Sequence, residues 1–358
     1  MNDKRTDIMQ TWRERFGDSR NWMTEVFSRI YTDDDSLAIE VGGKVVSSLL
    51  LRGFMLNFKG EIIPVGYIYG AATMRSQQGK GYMSKLMVNA IRESRNRGQI
   101  VAMLHPARRR LYGFYAKFGF TTALFIDEKR FTSVHKFVHD ESRYIIEDSI
   151  FDYAELADAY ARLSSSRGAC VLHDASDFRT ILIDNDLDHG LVSIVRYAET
   201  GSIAAIAIAK PNRHYGSIGV RELVADDEDA ANAALSQFTA ACPGMMTVVE
   251  SYPEREHVRY AARGMARIVN VEGLFKVISA IRPKTHMTIK VDDPLIRENH
   301  GVFKVDDGKV MRLNNDYNGK IDLDVSIEVL TSIMFSSERI GDLFDLPTGR
   351  LFASLMLT

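Results

Sequence analysis

The chain has 358 residues, 46% of them hydrophobic and 26% charged, with a formal net charge of -2. That suits an ordinary globular protein of two or three domains, and gives no electrostatic reason to bind nucleic acid or an anionic membrane. Its two cysteines, Cys170 and Cys242, lack Cys-x-x-Cys spacing, which argues against a disulfide scaffold or zinc site. The charged N-terminus has no signal-peptide core and no run of about 18 apolar residues occurs, so a cytoplasmic protein without a membrane span is expected.

In chain order, Lys4 to Ile30 reads as helix, with Ile8, Trp12, Phe16, Trp22, Val26 and Phe27 as buried positions. Asp33-Asp34-Asp35 follows, either a solvated cap or an acidic rim for a cationic substrate. Strands Ser36–Val41 and Lys44–Leu51 are joined by Gly42-Gly43, a hairpin signal, and Gly53 to Ile63 turns at Lys59-Gly60. A β-rich run through Tyr67, Ile68, Tyr69 and Ala71 ends near Thr73. Gln78-Gly79-Lys80-Gly81-Tyr82-Met83 then opens a helix whose Met83, Leu86, Met87, Ala90 and Ile91 share one face. Gly98 stops that helix, Ile100 to Leu104 is a buried strand, and Leu111 to Phe120 carries a second short helix.

The middle of the chain repeats this order more weakly. A helix from about Ile150 to Leu163 precedes strands Leu191–Tyr197, Ser202–Ala209 and Ser217–Leu223, then a helix from Asp229 to Ala241 and a strand Met245–Glu250. Met265 to Val269 reads as its closing strand. After Arg282-Pro283 come strands Met287–Val291, Gly301–Val305, Lys309–Leu313 and Ile321–Val325, then helices Ile327–Met334 and Ser337–Leu343.

Two glycines before a helix let backbone N–H groups and the helix dipole meet an anion, with Lys80 adding a full charge. On its own this pattern also describes a plain tight turn. A Walker loop is excluded because Gly81 follows Gly79-Lys80, and a dinucleotide fingerprint because Ser84 stands where its third glycine belongs. In the middle copy the matching loop, Val224-Ala225-Asp226-Asp227-Glu228-Asp229, has carboxylates and no glycine, so it repels a pyrophosphate. No Gly-x-Ser-x-Gly elbow points to a serine hydrolase.

The segment from Val65 to Phe120 resembles the cofactor-binding core of the GNAT acyltransferases. Their Gln/Arg-x-x-Gly-x-Gly/Ala signature is met by Gln78-Gly79-Lys80-Gly81-Tyr82-Met83 except at Met83, and Leu111 to Phe120 resembles the closing signature of that core. The rest of the chain is most similar to the Eis-like (enhanced intracellular survival) branch, which tolerates a bulky residue at that position. The resemblance implies an α/β (α+β) protein with tandem GNAT-like domains and a sterol-carrier-like end. Residues 1–129 would bind acetyl-CoA, 130–283 would form a degenerate copy, and 284–358 the sterol-carrier-like domain. It implies a homo-oligomer, a hexamer in this branch.

The resemblance further implies an acetyl-CoA-dependent N-acetyltransferase acting directly on a primary amine, of a cationic small molecule or a lysine side chain. Acetyl-CoA would be held by Ala71, Ala72, Thr73, Gly79, Lys80, Gly81, Tyr82, Met83, Ser84, Arg110 and Leu111; the basic run Arg108-Arg109-Arg110 also suits a phosphate-rich ligand. Tyr115 becomes the general acid, although its place in the Leu111, Phe114, Tyr115, Phe118 stripe reads by pattern alone as core, and Tyr112 is its neighbour and competitor. The α-carboxylate of Thr358 becomes the general base, carried by the apolar tail Leu351 to Thr358, which otherwise completes the last domain's own core. His105 is the histidine nearest the site, as a proton relay or a structural residue. The alternative function is a catalytically inactive binding protein that holds an apolar ligand in the last domain.

Overall fold

The computed structural model describes residues 3–149, 151–253, 260–314, 316–336, 341 and 345–356. It is a mixed α/β structure. The expected first helix is broken: α1 (Lys4–Phe16) ends at Gly17, whose left-handed backbone (φ +78°) lets its N–H reach Arg13 O. Past this cap come α2 (Arg20–Trp22), a π-helical turn (Met23–Phe27) and α3 (Ser28–Ile30). Next, β1 (Ser36–Val41), β2 (Lys44–Phe58) and β3 (Glu61–Thr73) form an antiparallel meander. Its turns fall at Gly42-Gly43 and Lys59-Gly60, all with positive φ. β2 runs on without a break to Phe58, so the strands expected at Lys44–Leu51 and from Gly53 are one.

α4 (Tyr82–Asn96) buries Leu86, Met87 and Ile91 against the sheet, each contributing about 1.5–3 kcal/mol. β4 (Val101–Leu104), α5 (Arg110–Ala116) and β5 (Thr121–Phe131) follow. The middle region holds β6 (Tyr144–Glu147), α6 (Tyr153–Leu163), β7 (Ala169–Leu172) and α7 (Ala175–Leu187). It continues with β8 (Leu191–Tyr197), β9 (Ile203–Asn212), β10 (Ser217–Ala225), α8 (Glu228–Ala241), β11 (Met246–Ser251) and β12 (Ala261–Ile268). The last region has α9 (Val271–Ile281), β13 (Met287–Asp292), β14 (Gly301–Asp306), β15 (Lys309–Arg312), β16 (Leu323–Ser326), α10 (Ile327–Phe335) and β17 (Leu351–Phe352). The helix expected at Ser337–Leu343 lies outside the described residues except for Gly341.

Strand pairing departs from the sequence reading at β12 and again at β7 and β17. β12 does not close the middle sheet: it pairs antiparallel with β4 and with the first half of β5. In exchange, the second half of β5, Asp127 to Phe131, pairs with β11. Each half of the tandem thus completes its sheet with a strand from the other. A run such as Met265 to Val269 is apolar enough for either sheet, so periodicity alone did not choose its partner.

The sheet continues β4-β3-β2-β7-β17-β5, placing the chain's final strand between β7 and β5. The last region is a separate sheet, β15-β14-β13-β16, whose apolar face meets the first. Ile289, Val291, Phe303 and Phe335 share one core with Phe58, Val65, Val101 and Ile268. Among the described residues no helix is long and apolar enough to cross a membrane.

Candidate active site

The site begins where β3 leaves its neighbours. Against β2 the register slips between Ser48 and Leu50, so Gly70 and Ala71 together oppose Leu49. Gly70 takes the left-handed φ of +60° that such a bulge needs. It also has no room for a side chain, since a Cβ there would lie 1.9 Å from the Trp12 ring. On its other edge β3 pairs with β4 only from Val65 to Tyr67. Beyond Tyr67 the two strands part, and the backbone of Ala71 to Thr73 faces the gap.

At the gap's mouth, Gly79 (φ +78°) and Gly81 (φ +80°) turn the chain into α4, with open space where their Cβ atoms would stand. No side chain caps α4 at Gly81, and the first intrahelical donor is Lys85 N. The N–H groups of Tyr82, Met83 and Ser84 are therefore presented to an anion together with the positive end of the helix dipole. The middle copy does the opposite. There Asp227 caps α8 by accepting from Ala230 N at 2.7 Å, and Arg143 pairs with both Asp227 and Asp229.

A cleft of about 1290 Å³ joins these features. Its walls include Ala71, Ala72, Thr73, Gly79, Gly81, Tyr82, Met83, Ser84, Arg110 and Leu111. Lys80 is not among them; its ammonium turns to Gln77 Oε1 at 2.8 Å. Tyr115 lines the cleft, whereas Tyr112 does not. Tyr115 is 8% exposed, packs edge-on against Phe114 and Phe120, and among the described residues its hydroxyl has no hydrogen-bond partner. Burial pushes its pKa up, so the hydroxyl keeps its proton. His105 also lines the cleft, with Nδ1 3.1 Å from the Tyr67 hydroxyl. Burial, aided by the Arg263 charge, lowers its pKa to about 4 and keeps the ring neutral.

The tail enters this cleft from the far side. Phe352 to Met356 form part of its wall, and Thr358 lies outside the described residues.

The acidic rim expected at Asp33 to Asp35 is not there. Asp33 accepts from Tyr31, and Arg97 binds both the Asp35 carboxylate and the Asp34 carbonyl. Carboxylates on the cleft wall are instead Asp18, Asp184, Asp188 and Glu250. Beside them stand the chain's two tryptophans: Trp12 Nε1 donates to Asp18 and Trp22 Nε1 to Asp184, each at 2.7 Å. Trp12 and Trp22 stack at 5.9 Å. Asp184 and Asp188 stand with Asp186 in a short acidic run that the sequence reading passed over, and the other signal was the pair of tryptophans, which pattern assigned to the core.

Residues 2–123 match the acetyltransferase (GNAT) domain, and residues 274–351 the sterol carrier protein domain. The chain carries a GNAT acetyltransferase domain. It is an acyltransferase, and it ends in a sterol-carrier domain. No curated protein matches it. The fold extends over whole solved chains. Eis1 from Mycobacterium abscessus is 16% identical with a TM-score of 0.74, over 99% of this chain and 98% of that one. A GCN5-related N-acetyltransferase from Anabaena variabilis ATCC 29413 is 14% identical with a TM-score of 0.79, over 99% and 97%. Another, from Kribbella flavida, is 17% identical with a TM-score of 0.77, over 99% and 96%. In this chain a bulged, splayed strand and an uncapped helix border one gap.

Proposed function

We propose that this acyltransferase moves an acetyl group from acetyl-CoA directly to a primary amine, of a cationic small molecule or a lysine side chain. One observation carries the reading: the uncapped start of α4, the open edge of β3 and the Tyr115 hydroxyl face a single cleft. Acetyl-CoA suits these residues, because glycines without neighbours admit a pyrophosphate against the α4 N–H groups and Arg110 adds charge beside it. When bound it supplies a thioester whose sulfur is the leaving group.

In this reading the backbone of Ala71 to Thr73 orients the pantetheine and polarises the carbonyl. Tyr115 donates its proton to the departing sulfur, a role helped by a raised pKa that keeps the acid form. The α-carboxylate of Thr358 accepts the amine proton; the tail's position in the cleft wall up to Met356 supports this. Asp188 is paired with Lys210 and Glu250 with Arg263, so Asp18 and Asp184 are the carboxylates of the wall that favour a cationic acceptor in this reading. Residues 1–129 act as the acetyl-CoA-binding domain with β12 lent to its sheet, 130–283 as a degenerate copy, and 284–358 as a sterol-carrier-like domain. The apolar face of that last sheet is occupied by the first domain's core, which speaks against a carrier of an apolar ligand. A homo-oligomer, hexameric as in the Eis-like branch, belongs to the same proposal and is tested by sedimentation.

The experiment is calorimetric titration with acetyl-CoA, followed by turnover of a panel of amines. Tyr115→Phe is expected to bind acetyl-CoA like the parent and to lose roughly 10²–10⁴ in kcat. Failure of the parent to bind acetyl-CoA at all would overturn the reading.

A further inference from the structure

The middle domain holds a fully buried ion pair that the chemistry above does not use. Arg167 donates to both carboxylate oxygens of Glu222, at 2.9 and 3.1 Å, and Glu222 is 0% exposed. Such pairs are weak sources of stability, because desolvation opposes the attraction. What this pair does hold is the tail. The Ser354 hydroxyl and the Tyr160 hydroxyl both donate to Glu222, and the His173 ring donates through Nε2 to Ser354 O at 3.0 Å. The Arg167 guanidinium lies 4.7 Å over the ring of Phe352, one residue into β17. Phe352 and Ser354 are thus gripped by groups from α6, the turn before β7, the turn after β7, and β10.

Directly after this grip the chain bends. Leu355 has φ +55°, a left-handed conformation that side-chain-bearing residues avoid. A strained residue persists only where its surroundings determine it. Here the bend turns the tail from the sheet into the cleft, where Met356 is buried. The clamp sits at a telling place. Glu222 follows a bulge at Arg221, where β10 slips in register against β9, as β3 does at Gly70–Ala71. Where the first domain opens its bulged strand to a ligand, the middle domain uses its own to seat the tail.

We propose that Ser354 and the Glu222–Arg167 pair, with Tyr160 and His173, are positioning residues that aim the end of the chain into the acceptor cleft. The proposal rests on the reading of the Thr358 carboxylate as base. Without the clamp β17 still fills its place between β7 and β5, but Ser354 to Met356 lose their fixed direction.

The test compares the parent with Ser354→Ala, with a chain lacking only Leu357 and Thr358, and with the two changes combined. Ser354→Ala removes one hydroxyl and leaves the ion pair intact, so folding is preserved; Glu222→Gln serves as the second probe of the same clamp. Expected for Ser354→Ala is a kcat about 10–100-fold lower, as for an angstrom-scale misplacement, with unchanged acetyl-CoA affinity and a thermal midpoint lowered by only a few degrees through the lost buried hydrogen bond. Combined with the shortened tail it should add no further loss, since both changes remove one function. If the shortened chain is inactive while both Ser354→Ala and Glu222→Gln turn over like the parent, the clamp is overturned and the base reading stands. A loss in Ser354→Ala that multiplies with truncation, or that follows acetyl-CoA affinity, also overturns the clamp by making Ser354 merely structural. If the shortened chain is as active as the parent, the base reading itself falls and takes the clamp with it.

Discussion

Trp22 and Asp184 lie 162 residues apart, and a 2.7 Å hydrogen bond from the indole nitrogen to the carboxylate joins them at the cleft wall. Burial raises the Asp184 pKa, while the bond from Trp22 works against that rise. Asp184→Asn keeps an acceptor for the indole and removes the charge. It is expected to raise the KM of a dicationic amine about tenfold and leave the KM of acetyl-CoA unchanged. Because the pKa is raised, the parent's advantage should fade at a higher pH than it would for an ordinary aspartate, and steady-state kinetics across the acid range would show it.

The start of α4 is tested through charge. Lys80→Glu combined with Gly81→Asp sets two carboxylates against the uncapped N–H groups, and acetyl-CoA affinity should fall on the order of 100-fold. Gly81→Ala separates backbone from charge. At φ +80° an alanine costs about 1–2 kcal/mol locally but adds no repulsion, so calorimetry should find a much smaller loss.

Arg267 and Asp293 are both fully buried and meet at 2.6 Å. Arg267 also donates to Phe118 O, just beyond α5, and Asp293 accepts from Leu295 N, Ile296 N and Asn299 Nδ2. The pair therefore ties the helix carrying Tyr115 to the loop after β13. Arg267→Met strands the Asp293 charge and should destabilise by about 3–5 kcal/mol in urea unfolding. Arg267→Met with Asp293→Asn should recover much of that loss. A double variant as unstable as the single one would mean that packing, not charge, dominates.

His105 makes stability depend on pH. Its folded pKa of about 4 lies below the ordinary value of 6.5, so between these limits the unfolded chain binds the extra proton. Its contribution is present above pH 6.5 and is lost as the pH falls toward 4. Replacing His105 with Gln should flatten that part of the denaturation-midpoint profile. An unchanged slope would show that the ring is neutral for another reason.

Local chemistry was legible in the sequence; pairing over distance was not. Gly42-Gly43, Lys59-Gly60 and the Gly79–Gly81 loop announce themselves because only a few residues tolerate their backbone, and each turn lies where expected. β7, α7 and α9 were missed: β7 is only Ala169 to Leu172, while α9 does carry a helical signal in the spacing of Val271, Leu274, Phe275 and Ile278, which could have found it. The home of β12 was misread because an apolar strand carries no label for its partner. Asp33 to Asp35 read as a solvated cap or a substrate rim, since adjacency in sequence was the only proximity available, and the fold bears out the cap. In the fold Arg97 pairs with the Asp35 carboxylate and holds the Asp34 carbonyl, and the acids that do meet the cleft come from positions 18, 184, 188 and 250.

The exchange between β5 and β12 also sets an order in time. A nascent chain that has delivered β4 and β5 cannot complete the first sheet until Ile268 has left the ribosome, and β17 joins only at the very end. At about 5–20 residues per second, the first sheet waits roughly ten to thirty seconds with unpaired edges on β4 and β5. Such edges are templates for pairing with other chains. Synthesis of this enzyme therefore passes through a window in which its own sheet is an aggregation hazard, and chaperone capture should peak on ribosomes that have passed Phe131 but not yet released Ile268.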